Sequence, residues 1–205
     1  MQPIKKTSLL FFGDSITQAG AEGRGYINQL QQMVNDTIDE NNYELIGAGI
    51  NGNKVEDLYR RMNEDVIALK PDMVVIYIGI NDVWHKTSGN GTPIAKFAEL
   101  YEAIIKKLQA NNVDVALCTT SVIGEKKMNA NTQDTDLDSY SSVILSLSAT
   151  MNCLLVNLRT AFKKYLANNN PDNKESGILT TDGVHLNDLG NELVAAEMLK
   201  VVIAR

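Results

Sequence analysis

The chain has 205 residues, 44% of them apolar and 21% charged, with a net charge of −6. That length suggests one domain, residues 1–205, with enough core to be stable without disulfide or metal staples. The acidic balance argues against a nucleic-acid or anionic-membrane partner, since both need clustered Lys and Arg.

The elements follow one another as short apolar runs and longer helical patterns. Directly after Lys5-Lys6, "SLLFF" predicts a first strand, Ser8–Phe12. Ile27, Leu30, Val34 and Ile38 then recur at helical spacing. Tyr43–Ile46 reads as a second strand, followed by a helical stripe of Val55, Leu58, Met62, Val66 and Leu69. "MVVIYI", Met73–Ile78, is nearly all apolar and β-branched, the pattern of a strand covered on both faces. A long helix through Phe97, Tyr101, Ile104 and Leu108 is introduced by Thr92 as N-cap and Pro93 at the first helical position. Asp114–Thr119 predicts a fourth strand, Leu137–Met151 a helix and Leu154–Asn157 a fifth strand. A short helix follows Arg159, and a last one begins near Asn187 and turns Leu189, Leu193, Ala196 and Leu199 inward.

Strands alternating with helices imply an α/β fold with a parallel sheet and helices on both faces. In such a fold the two cysteines, Cys118 and Cys153, fall at opposite ends of neighbouring strands and are expected as free, mostly buried thiols. Nothing resembles a signal peptide or a membrane span. A cytoplasmic location is the default expectation, and a secreted or periplasmic one follows if a leader has been removed.

In open α/β sheets, ligands bind outside the carboxyl ends of the strands. Four segments that follow strands carry chemically useful side chains. "GDS" ends the first strand, where Gly13 permits a tight turn and Ser15 presents a hydroxyl beside unpaired backbone N–H groups. Taken alone this is weak evidence, because Asp14 and Ser15 also make an ordinary cap. A serine nucleophile needs a base, and the chain has two histidines, His85 and His185. Each has a carboxylate three positions earlier, Asp82 and Asp182, so spacing alone does not choose between them. Gly52 in "INGN" and Asn81 in "GIND" are candidate donors to an oxyanion, and also ordinary turn and cap residues. Trp84 and His85 in "NDVWHK" adjoin the same rim, where a tryptophan walls a small acyl pocket, stacks on a sugar or serves as a packing anchor.

Together these segments resemble the SGNH, or GDSL, hydrolase family. Gly13-Asp14-Ser15-Ile16-Thr17 resembles its nucleophile block, "INGN" its glycine block, "GIND" its asparagine block and "DGVH", Asp182–His185, its terminal block. The order and approximate spacing match, from about residue 8 to 203. Ile16 replaces the leucine of the family's name, a volume-conserving change. The Gly-x-Ser-x-Gly elbow of the ordinary α/β-hydrolases is absent.

The resemblance implies a three-layer α/β/α sandwich around a five-stranded parallel sheet, flavodoxin-like in layout. It implies Ser15 as nucleophile, His185 as base and Asp182 as its orienting carboxylate. The Ser15 N–H, Gly52 N–H and Asn81 side chain would form the oxyanion hole, with no metal or organic cofactor. The partner is then a small-molecule ester, with no nucleic acid and no stable membrane insertion; oligomeric state is not encoded legibly. The family spans esterases, lysophospholipases, thioesterases and carbohydrate O-acetyl esterases. The segment "SVIGEKKMNANTQDTD" lacks the apolar run of a lipase lid, which favours short acyl or O-acetyl esters over longer chains. A non-catalytic binding module of the same fold is the other class. A phosphate site is disfavoured because "GDSIT" has neither the glycine-rich loop nor the lysine it would need.

Overall fold

The computed structural model describes residues 6–37 and 43–203. In chain order the elements are β1 (Thr7–Gly13), α1 (Ser15–Gly20), α2 (Tyr26–Thr37), β2 (Tyr43–Gly49), α3 (Val55–Asp65), β3 (Met73–Tyr77), α4 (Ile80–Trp84) and α5 (Ile94–Ala110). They continue with β4 (Asp114–Cys118), α6 (Asp134–Thr150), β5 (Leu154–Val156), α7 (Leu158–Asn169) and α8 (Asp188–Met198). The five strands form one parallel sheet in the order β2-β1-β3-β4-β5. α2 packs on α8 and α3 on α5, giving helices on both faces. This is the expected α/β/α layout.

The core explains the strand assignments. Every residue of β3 is buried, as are Leu9 through Phe12 of β1, so both strands read as unbroken apolar runs. β2, at the sheet edge, is only partly covered. From β1 the chain crosses to β2 on one face and returns to β3 on the other. The strand order therefore reverses at the carboxyl ends of β1 and β3, where a crevice opens. Ser15 follows β1 and Asn81 follows β3.

Several expectations need correction. The N-cap of α5 is Pro93, and the helix starts at Ile94. Thr92 caps nothing there, because its hydroxyl serves the buried carboxylate of Asp82 and its N–H donates to the Asp82 carbonyl. α3 ends at Asp65 and its stripe stays buried through Val66, but Leu69, on the short 3-10 turn beyond, is 55% exposed. On α8 the fully buried residues are Gly190, Val194, Ala195 and Met198; Leu193 and Leu199 pack at the margin of the core as expected, whereas Leu189 is exposed. Gly190 allows the helix to approach closely, since a side chain there would collide with the Leu179 carbonyl oxygen. α7 is a full 12-residue helix that buries Phe162 and Leu166. Ile38, the last member of the α2 stripe, lies outside the described residues. Cys118 is a buried free thiol and Cys153 a partly buried one.

Candidate active site

The turn off β1 is forced by close packing. A Cβ on Gly13 would stand 2.5 Å from the Tyr77 carbonyl oxygen and would also strike the Thr17 hydroxyl. Glycine is required here by the protein's own interior. Asp14 then caps α1, its carboxylate accepting from the Ile16 N–H at 3.0 Å. The chain thereby enters α1 with Ser15 as its first, partly exposed residue.

The partner arrives from the far end of the chain. Ser15 Oγ lies 3.1 Å from His185 Nε2, across 170 residues of sequence. His185 Nδ1 lies 2.7 Å from Asp182 Oδ2. An ionised carboxylate only accepts, so Nδ1 carries the proton and Nε2 is left to accept from the serine hydroxyl. Asp182 is fixed as well, its Oδ1 accepting from the Val184 and His185 N–H groups at 2.9 and 2.8 Å. Burial pushes the Asp182 carboxyl up, but its contacts with His185 and these two N–H groups outweigh that and hold it below the usual range.

The loop carrying Asp182 and His185 is anchored by Glu125, a residue that sequence reasoning missed. This fully buried carboxylate accepts from the N–H groups of Ile178, Leu179 and Thr180 at 2.7–2.8 Å, and from the Thr180 hydroxyl at 2.8 Å. The Gly124 N–H donates to the Gly183 carbonyl at 2.8 Å, closing the same contact.

Gly52 occupies a turn closed by the Asn53 N–H on the Ile50 carbonyl at 3.2 Å, with φ +76°, a conformation open to glycine. Its N–H has no partner among the described residues. Asn81, buried on α4, donates through Nδ2 to the Asn53 carbonyl at 3.0 Å. The turn after β2 and the tip of β3 are thus tied together.

The two histidines separate clearly. Asp82 turns into the core, where its oxygens lie 3.2 and 3.3 Å from the Val55 N–H; it does not orient His85. Burial pushes the Asp82 carboxyl up to about 6, against the pull of Thr92, the Val55 N–H and Lys54. Asp14 is pushed up to about 7, first by burial and further by Asp82, while the Ile16 N–H and His185 oppose the rise. Trp84 stands edge-on to the His185 ring, centroids 6.1 Å apart, and its ring centroid is 6.3 Å from that of His85.

Trp84 borders a cleft of about 340 Å³ that reaches Asp182 and Gly183 and is walled by Thr87, Lys126, Thr132 and Glu175. A second cavity, of about 390 Å³, lies between the segment after β4 and α7 and touches none of Ser15, Asp182 or His185. Among the described residues, no helix is long and apolar enough to cross a membrane.

Comparison with known proteins agrees with this geometry. The structure superposes on that of the acetyl xylan esterase AlAXEase with a TM-score of 0.93 and 51% identity, covering 96% of this chain and 100% of the other. The sequence is 32% identical to an acetylxylan esterase of Geobacillus stearothermophilus, covering 95% of this chain and 93% of the relative. A solved catalytic mutant of the esterase Axe2 from that organism, a serine-to-alanine change, matches with a TM-score of 0.84 and 27% identity, covering 97% and 95%. Residues 11–193 match the GDSL-like lipase/acylhydrolase family, and the chain belongs to that family.

Proposed function

We propose that this ester hydrolase removes short acyl groups, acetyl above all, from the hydroxyls of a carbohydrate or small alcohol, with Ser15 as nucleophile. The observation that carries the reading is the unbroken relay from Ser15 Oγ through His185 to Asp182 at 3.1 and 2.7 Å. Ser15 Oγ bonds to the ester carbon as His185 Nε2 takes its proton, and the carbonyl electron pair moves onto oxygen. The Ser15 N–H, the Gly52 N–H and the Asn81 amide are assigned to that oxyanion. Collapse breaks the bond to the alcohol, whose oxygen takes the proton from Nε2. Water then repeats the sequence on the acyl-serine and releases the carboxylic acid.

Two features support a short acyl group on a hydroxyl-rich alcohol. Seven side chains lining the cleft beside Trp84 carry hydroxyl, amide or charged groups, among them Thr87, Asn131, Gln133 and Asp182, which suit a hydroxyl-rich alcohol. The acetylxylan esterases named above match the chain over nearly its whole length.

The test is a series of chromogenic esters from acetyl to decanoyl, run beside acetylated xylan. Activity should be highest on acetyl and should release acetate from the polymer. A steady rise toward decanoyl would instead favour a lysophospholipase or thioesterase. Fluorophosphonate labelling that is lost in Ser15→Ala would exclude a non-catalytic binder.

A further inference from the structure

Arg61 projects from α3 toward the carboxyl end of the sheet, and every nitrogen of its guanidinium is engaged. Nε donates to the Asn53 side-chain oxygen at 2.7 Å and Nη1 to Asp65 at 2.7 Å. Nη2 donates at 2.9 Å to two backbone carbonyls, those of Gly13 and Ala48, at the tips of β1 and β2. The ring of Phe12 lies against the guanidinium carbon, 4.4 Å from the ring centroid. A planar fork held on all sides in this way has one orientation, which a lysine ammonium would not reproduce.

These contacts converge on the proposed oxyanion hole. Gly13 lies two residues before Ser15 on the nucleophile turn. Asn53 immediately follows Gly52, and its carbonyl receives the Asn81 amide at 3.0 Å. All three assigned donors are therefore connected to one cation, two through the backbone and the third through Asn53. An oxyanion hole works because its donors are already aimed before charge develops, so a group that fixes their aim lowers the barrier without touching substrate.

We propose that Arg61 is the positioning residue of the oxyanion hole, setting the Asn53 carbonyl that aims Asn81 and the turn that aims Gly52. The inference rests on the assignment of Asn81 and Gly52 as oxyanion donors.

The test is a double-mutant cycle on p-nitrophenyl acetate, with active enzyme counted by fluorophosphonate titration. Arg61→Ala should lower kcat about 10- to 100-fold while KM changes less than about twofold, because the lost interaction belongs to the transition state. Arg61→Lys should stay closer to Arg61→Ala than to the parent. The double variant Arg61→Ala/Asn81→Ala should lose clearly less than the product of the two single losses, since Arg61 acts in part through Asn81.

Losses that multiply across the cycle, or an undiminished kcat in Arg61→Ala, overturn the proposal and leave the esterase reading intact. An undiminished kcat in Asn81→Ala overturns the oxyanion assignment itself and the proposal with it. Where Arg61→Ala does not fold, Asn53→Ala decides. It removes only the Nε acceptor, and its loss should likewise fail to multiply with that of Asn81→Ala; a multiplied loss overturns the proposal.

Discussion

The Asn81 side chain gives one of its two amide hydrogens to the Asn53 carbonyl, 3.0 Å away. The other hydrogen is then held in a fixed direction. In Asn81→Ala that donor disappears while the Asn53 carbonyl loses its partner. We expect about 3 kcal/mol of lost transition-state stabilisation, roughly 10²-fold in kcat, with KM for p-nitrophenyl acetate little changed. A variant with parental kcat would remove Asn81 from the hole.

Glu125 makes a stability prediction. Its Oε1 receives three donors and its Oε2 one, all from residues 178–180, and the side chain is fully buried. Glu125→Gln replaces one of those acceptors with an NH₂ group that faces an N–H. The cost should be about 1–3 kcal/mol, or about 2–12 °C in Tm for a chain of this size, measured by calorimetry. An unshifted Tm would mean that the loop is held by its other contacts, such as that between Gly124 and Gly183.

These two residues also mark the limit of what the sequence discloses. β1 and β3 are legible because burial on both faces writes an unbroken apolar run. The Ser15, Gly52, Asn81 and His185 segments are legible because each sits at a strand end or loop in a recognisable block. Glu125 and Arg61 carry no such signature. Glu125 stands in "GEKK", which reads as a solvated charge run, and Arg61 adjoins Arg60, whose side chain is 69% exposed. Most of their partners are backbone groups, supplied from up to 55 residues away, which no local pattern records. Spacing also left Asp82–His85 and Asp182–His185 equivalent. The folded chain separates them by sending Asp82 into the core toward α3.

Asp14 predicts a pH dependence of stability. Its carboxyl is pushed up to about 7 in the folded protein from an ordinary value of 3.8, chiefly by burial. The folded state therefore holds the proton more tightly than the unfolded state does. The contribution is fully present below the unfolded value and is lost as pH rises through about 7. Asp82, raised to about 6, acts with the same sign, whereas the lowered Asp182 acts with the opposite one. Asp14→Asn keeps an oxygen to cap the Ile16 N–H and cannot ionise. Relative to the parent, it should gain stability progressively between pH 4 and pH 7 in urea unfolding. A difference constant across that range would show that Asp14 does not titrate there.

Trp84 predicts a split between binding of the alcohol and the chemistry. The indole stands edge-on to His185 and borders the cleft that runs past Asp182 and Gly183. His185 must protonate the departing oxygen, so the alcohol has to lie on the imidazole side of the acyl carbon. A large alcohol then extends along the surface that Trp84 walls, whereas p-nitrophenol is small enough to depart without it. Stacking on an aromatic face contributes about 0.5–1.5 kcal/mol, equivalent to a change of two- to about tenfold in KM. Trp84→Ala should therefore raise KM for acetylated xylo-oligosaccharides by that factor and leave kcat/KM for p-nitrophenyl acetate nearly unchanged. Equal losses on both substrates would instead assign the indole to holding the His185 ring in place. That outcome would move the sugar site to another face of the crevice.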